Sequence, residues 1–264
     1  MPTFLLAIDP LLVLSGFIVG GIVGLTGVGG GSLMTPVLVL LFGFHPVAAV
    51  GTDLLYAAAT KSAGTLVNGF NKSVEWPIVF RLAAGSVPAA AATILWLSVS
   101  GAHGGNGANP VVTIVLGCML VVTALSLFFR VQLQRFAGRH RELPPRQQAI
   151  LTVLTGAILG VLVSISSVGA GAVGVTALLL LYPRLPVLRI VGSDIAHAVP
   201  LTLVAGLGHW AIGNVDWHTL LSLLIGSIPG ILIASHFVPR IREDVLRYIL
   251  GTILAIVGIR LMFS

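Results

Sequence analysis

Charge is what this sequence has least of. Only 8% of its 264 residues are charged, 14 Lys or Arg and 8 Asp or Glu, against about 25% in soluble domains. Hydrophobic residues make up 56% of the chain, and mean hydropathy is +1.07. So few charges cannot cover a water-exposed surface of this size, which excludes a soluble enzyme, a nucleic-acid binder and a disordered chain. The net charge of +6 and the pI near 10.5 would suggest nucleic acid in a soluble protein. Here the charges fall in short loops, where they set membrane topology. Cysteine is nearly absent as well. The single Cys118 excludes an internal disulfide and a cysteine-based zinc site. No basic residue precedes the opening apolar run MPTFLLAIDPLLVL, so it lacks the charged region of a signal peptide and is expected to form a first membrane segment.

What is present is a series of apolar runs: 11–25, 33–42, 47–67, 76–99, 111–129, 149–165, 173–182, 190–212, 217–238 and 248–263. A spanning helix needs roughly 20 apolar residues. Runs 33–42 and 173–182 are too short, and each follows a glycine-rich break. The chain also repeats itself at an offset of 140–141: Gly16, Gly20, Gly29 and Gly31 return as Gly156, Gly160, Gly169 and Gly171. Gly51-Thr52-Asp53 returns as Gly192-Ser193-Asp194, Val74-Glu75-Trp76 as Val215-Asp216-Trp217, and Gly85-Ser86-Val87-Pro88 as Gly226-Ser227-Ile228-Pro229. Internal repeats of this kind mark secondary transporters.

The placement of basic residues chooses between parallel and inverted repeats. If each broken segment is a re-entrant hairpin, each half has an odd number of crossings and the halves are inverted. Lys72, Arg130, Arg135, Arg139, Arg141, Arg146, Arg184, Arg189, Arg240, Arg242 and Arg247 then share the cytoplasmic side, and only Arg260 falls outside. The expected fold is therefore all-α and polytopic: two inverted repeats, each a glycine-rich re-entrant hairpin followed by three full transmembrane helices, about eight hydrophobic segments in all. The expected organisation is a first repeat over 1–131, a basic cytoplasmic linker over 132–147 and a second repeat over 148–264. Pro88 and Pro229 occupy equivalent places and are expected to kink their helices.

The breaks read GLTGVGGGSLMTP over 24–36 and SISSVGAGAVGVT over 164–176. A helix broken at membrane depth leaves backbone groups unpaired, which is tolerated only where the backbone lines a cavity or is buried in protein. Short helices starting near Gly31-Ser32 and Gly171 would aim free N–H groups at the hairpin tips, and such ends bind anions. The expected substrate contacts are Thr26, Gly27, Gly29, Gly30, Gly31 and Ser32 from the first tip, and Ser164, Ser166, Ser167, Gly169 and Gly171 from the second. The competing reading is close helix packing, which suits the spaced pairs Gly16/Gly20 and Gly156/Gly160 as small-xxx-small faces. Neither a Walker phosphate loop nor a Rossmann fingerprint has its required context here.

The pattern Gly20-x3-Gly24-x2-Gly27-x-Gly29-Gly30-Gly31-x4-Pro36-x-Leu38, its degenerate second copy, the following Val-Gly-Thr and Val-Gly-Ser segments and the basic central loop resemble the sulfite exporter TauE/SafE family over nearly the whole chain. The resemblance implies a multi-pass transporter of the bacterial inner membrane for sulfite, sulfonates, sulfoacetate or related organic anions. The second copy departs from the pattern: Ser164 and Ser167 replace glycines, and Thr176 stands in the place of Pro36.

Ionisable groups inside a membrane are costly and functional by default. Asp53 and Asp194 occupy equivalent positions, each shortly after a hairpin. Lys61 follows Asp53 by about two turns, His197 shares a face with Asp194, and His209 lies on later turns. These five residues are expected to carry or gate coupling protons and to add positive charge for an anion; buried structural pairing is the other reading. Asp194 and His197 offer two ligands where a metal cage needs four, so no metal is expected, and no cofactor. The Trp residues fall near helix ends, as interfacial aromatics do. The expected partners are a small anion and the lipid bilayer, with no nucleic acid and the oligomeric state open. The rival classes are an intramembrane enzyme and an anion channel. The first lacks a Gly-x-Ser-Gly nucleophile or His-Glu-x-x-His motif and the second lacks a filter sequence.

The topology has a direct test. In a Cys118→Ala background, cysteines at Gly104 and Gly213 are expected to react with an impermeant thiol reagent from outside, and one at Gly138 is not. Labelling of Gly213→Cys from the cytoplasm alone would contradict the inverted arrangement.

Overall fold

The computed structural model describes residues 8–26, 31–70, 73–100, 110–139, 143–237 and 243–263. They form ten helices, with no strand among them. The first half carries α1 (Pro10–Thr26), α2 (Gly31–Leu41), α3 (Pro46–Phe70), α4 (Trp76–Val99) and α5 (Pro110–Arg139). The second carries α6 (Pro145–Ser166), α7 (Ala172–Leu181), α8 (Val187–Ala211), α9 (Trp217–Phe237) and α10 (Glu243–Met262). Five helices contain stretches long and apolar enough to cross a membrane: Trp76–Val99, Pro110–Phe136, Pro145–Ser166, Val187–Ala211 and Trp217–Ala234. The protein is a polytopic membrane protein. Exposed Phe80, Leu95, Ile158, Leu232 and Ile256 give it the apolar outer surface that lipid requires.

Local chemistry sets the helix ends. Pro46, Pro110 and Pro145 open α3, α5 and α6, where a missing N–H costs nothing. Asp9 Oδ1 accepts the Leu11 N–H at 2.8 Å to cap α1, and Asp216 Oδ1 accepts the Thr219 N–H at 2.8 Å to cap α9. Helix α5 continues to Arg139, so the basic segment between the halves begins as helix. Pro88 and Pro229 both lie inside helices, as do Pro36 and Pro200.

Each half is completed by the other. Helix α6 packs on α4, and α1 packs on α9, through glycines. A Cβ on Gly156 would stand 2.2 Å from the Leu82 carbonyl oxygen, and one on Gly16 would stand 2.4 Å from that of Leu223. Gly160 and Gly20 approach the Ser86 and Ser227 carbonyls equally closely, at 2.5 Å each. Every one of these contacts has its counterpart at the repeat offset. The equivalent helices α3 and α8 run antiparallel, since Leu55 meets Gly206 while Ile195 meets Gly64. So do α5 and α10, where the equivalent Gly117 and Gly258 touch each other and Phe128 meets Gly251. A buried core of Leu54, Ile94, Leu97, Val163 and Leu201 joins α3, α4, α6 and α8.

The second broken segment folds back on itself. Gln148 Nε2 donates to the Leu181 carbonyl at 2.7 Å, and the Thr152 and Tyr182 hydroxyls are 2.8 Å apart. The start of α6 and the end of α7 therefore meet at one end of the molecule, and the turn between them lies deep inside. Helix α6 has 22 residues and α7 only 10, about 33 Å and 15 Å of rise.

Gly156→Ala is expected to lower stability by about 1–3 kcal/mol, because its methyl meets backbone that cannot yield. A Cβ on Gly21 meets nothing within 4 Å, so Gly21→Ala is expected to be neutral or stabilising. Thermal denaturation of the two detergent-purified variants distinguishes them.

Candidate functional site

The second hairpin tip is built by backbone conformations that favour glycine. Ser167 ends α6 in the left-handed region, at φ 58° and ψ −2°. Gly169 and Gly171 follow at φ 124° and 135°. The chain then re-enters helix, with the Gly174 and Val175 N–H groups donating to the Gly169 and Gly171 carbonyls at 3.0 and 2.9 Å. Ser164 and Ser166 are turned back on α6: Ser164 Oγ donates to the Gly160 carbonyl at 2.7 Å, and Ser166 Oγ lies 2.7 Å from that of Leu162 and accepts the Val168 N–H at 3.2 Å. Only Ser167 reaches out of the hairpin, and it reaches a carboxylate.

That carboxylate is Asp53 of α3, which is fully buried. Its Oδ2 accepts the Ser167 hydroxyl at 3.0 Å, the Thr35 N–H at 3.1 Å and a short bond from the Thr35 hydroxyl. Thr35 lies in α2, so one carboxylate ties both broken segments together. Two turns further along α3, Lys61 Nζ donates to the Ala170 carbonyl at 3.0 Å, on the same tip. The Lys61 ammonium lies in the field of Asp194 first and of Asp53 second.

Asp194 differs from its equivalent. It is buried, yet neither carboxylate oxygen has a hydrogen-bond partner among the described residues. The Gly171 N–H faces it without closing a bond of ordinary geometry. Its Oδ1 lies against α7, where a Cβ on Gly174 would stand 2.1 Å away. One turn on, His197 Nε2 lies 2.8 Å from Ser86 Oγ, and its Nδ1 has no partner among the described residues. The equivalent pair in the other half is Tyr56 and Ser227, whose buried hydroxyls close no hydrogen bond among the described residues. His209 Nε2 lies 2.9 Å from the Ser164 carbonyl. A carbonyl only accepts, so Nε2 carries the proton and donates.

The structure thus gathers Asp53, Lys61, Asp194, Ser167 and Gly171 around the second hairpin tip, with Thr35 of α2 joined through Asp53, His209 behind the tip, and His197 of α8 against Ser86 of α4. From the first tip, Gly27, Gly29 and Gly30 lie outside the described residues, as do the side chains of Thr26 and Ser32. Gly31 opens α2. Among the described residues no group of three or more His, Cys, Asp or Glu could hold a metal.

Sequence reasoning missed Thr35, Ser86, Ser227 and Tyr56. The signal for two of them was the repeated Gly-Ser-x-Pro, which drew attention only to its proline. The repeated Gly-Thr/Ser-Asp motif resolves into three tasks. A Cβ on Gly51 or Gly192 would lie 2.2 Å from the Asn214 or Ser73 carbonyl of the other half. The hydroxyls of Thr52 and Ser193 accept the N–H groups of Asp216 and Glu75 at 3.0 and 2.8 Å. The aspartates point to the tips.

Antiparallel equivalent helices, a buried helix break and ionisable groups held against it are features of membrane transporters. The chain belongs to the family described as Sulfite exporter TauE/SafE, whose sequence pattern matches residues 12–261. It is 37% identical over 253 residues to the probable membrane transporter protein YjnA of Bacillus subtilis, covering 95% of this chain and 98% of that one. It is 26% identical over 267 residues to a probable membrane transporter protein of Methanocaldococcus jannaschii, covering 95% and 94%. No solved structure matches the chain.

The Lys61–Asp194 interaction is open to a double-mutant test. Lys61→Met is expected to lower thermal stability, because it removes the bond to the Ala170 carbonyl and the cation in the field of Asp194. Adding Asp194→Asn is expected to recover most of that loss. Adding Asp53→Asn is not, since Thr35 and Ser167 still hold that group. Thermal stability of the three variants gives the answer.

Proposed function

We propose that this protein is a secondary transporter that moves small sulfur-containing or organic oxyanions, such as sulfite, sulfonates or sulfoacetate, across the bacterial inner membrane in company with protons. One observation carries this reading: the outward-facing donors of the second hairpin tip are already directed at carboxylates, Ser167 at Asp53 and the Gly171 N–H at Asp194. A carboxylate is itself an oxyanion. Donors that suit it suit a sulfite or sulfonate oxygen, and the two compete for the same positions.

Protonation supplies the exchange. A neutral aspartic acid no longer needs the donors, and an incoming anion takes them with the charge of the site unchanged. Asp194 carries the proton, because it accepts no ordinary hydrogen bond among the described residues and stands beside Lys61. Asp53, with three donors on one oxygen, latches the two broken segments and gates the change. Lys61 supplies the positive charge that receives the anion once Asp194 is neutral. The substrate contacts are Thr26, Gly27, Gly29, Gly30, Gly31 and Ser32 of the first tip and Ser167, Gly169 and Gly171 of the second, the Ser164 and Ser166 hydroxyls being engaged on α6. The antiparallel equivalent helices support inverted repeats with the basic linker over 132–147 on the cytoplasmic side. Whichever half opens, the other stays closed.

The test is flux in proteoliposomes. Sulfite or sulfoacetate uptake is expected to saturate and to accelerate with a proton gradient directed with the substrate. Asp194→Asn is expected to abolish the pH dependence while weakening substrate binding by less than about ten-fold. Asp53→Asn is expected to slow transport at every pH. Unchanged pH dependence in Asp194→Asn would remove it as the proton carrier. Anion flux that does not saturate would indicate a channel.

A further inference from the structure

Two recesses open at equivalent places on opposite ends of the molecule. One, of about 390 Å³, is lined by Phe42, Gly43, Phe44, His45, Asn214 and Asp216 among others, and contains no Lys or Arg. The other, of about 860 Å³, lies where α6 begins and α7 ends, at the base of the second hairpin, and its wall includes Arg81, Arg184, Gln148 and Tyr182. At the repeat offset Arg81 becomes Ser222 and Arg184 becomes Gly43, so among the described lining residues the arginines belong to one mouth.

The basic recess is a constructed feature. Arg81 reaches across from α4, its Nη1 3.4 Å from the Tyr182 hydroxyl. Tyr182 is buried and its hydroxyl lies 2.8 Å from that of Thr152, which fixes the ring. The acid on the wall, Glu75, is engaged by Arg189, so its charge is offset before any ligand arrives. Leu143, Pro144, Pro145 and Leu185 complete an apolar flank. Two guanidinium groups beside an apolar wall select an organic oxyanion: a charged, acceptor-rich head on a short carbon body.

We infer that this recess is a second oxyanion site, distinct from the hairpin tips, where a small organic sulfonate or carboxylate is held between Arg81 and Arg184 before it passes along the second hairpin. This rests on the transport reading above for its role, though the binding itself does not. The same chemistry is offered by the headgroup of an anionic phospholipid, and the experiment separates the two.

The site can be read without transport. In a Cys118→Ala background, Leu143→Cys places a thiol on the recess wall, and Leu185→Cys gives a second reporter. The purified protein is reconstituted in phosphatidylcholine nanodiscs, and the rate of N-ethylmaleimide labelling is measured against sulfoacetate concentration. Sulfoacetate is expected to slow labelling saturably. Arg81→Gln and Arg184→Gln are each expected to raise the half-protecting concentration about ten-fold or more, the loss of one charged hydrogen bond. Arg135→Gln, a charge outside the recess, is expected to leave it unchanged. No protection at either reporter, or protection indifferent to both recess arginines, would overturn the site. Protection given by phosphatidylglycerol in the nanodisc but not by sulfoacetate would overturn it in favour of a lipid seat. Protection in a protein that shows no anion flux would uphold the site and count against the transport reading instead.

Discussion

A helix that ends inside the protein leaves backbone donors and acceptors where no water can reach them, and much of this structure answers that constraint. In the second break Ser166 Oγ accepts the Val168 N–H. Lys61 takes the Ala170 carbonyl, and His209 takes that of Ser164. Asp53 draws the Ser167 hydroxyl and the Thr35 N–H onto a single oxygen. Each unpaired group would cost several kcal/mol in hydrocarbon. Asp53, Lys61 and His209 come from α3 and α8, helices that would otherwise have no reason to hold charge.

The constraint also explains the crossed packing. The second half does not close its own tip alone. Asp53 and Lys61 from the first half serve the second tip, and the first half's α1 lies on α9 while the second half's α6 lies on α4. The glycines at these crossings bring backbones within reach of each other, so the charged groups arrive at fixed positions. Packing between helices in lipid depends on such close approach, because there is little hydrophobic gain from association.

Symmetry in the scaffold and asymmetry in the chemistry then divide the labour. Asp53 and Asp194 are equivalent in sequence and in helix, but one accepts three hydrogen bonds on one oxygen and the other none of ordinary geometry. Tyr56 and His197 face Ser227 and Ser86 in matching positions. Lys61 has Thr202 as its counterpart, whose hydroxyl turns back to the Ala198 carbonyl of its own helix. In the proposed transport cycle, inversion uses the first property and a coupling charge uses the second.

The helical membrane class, the repeat, the glycine breaks and the intramembrane Asp, Lys and His residues were all legible in the sequence. Scarcity of charge, periodic recurrence of Gly, Pro and acidic residues, and the cost of burying an ion are properties of the chain as written. The partners were not. Nothing in the sequence indicates that Thr35, within an apolar run, donates twice to Asp53, or that Ser86 meets His197 across 111 positions. The repeated Gly-Thr/Ser-Asp motif announces its importance but not that its glycine and hydroxyl address the other half while both carboxylates face the second hairpin. Sequence fixes which groups must find a partner, because their desolvation cost is intrinsic. Which partner they find depends on distances between helices far apart in the chain, and only the packed structure sets those.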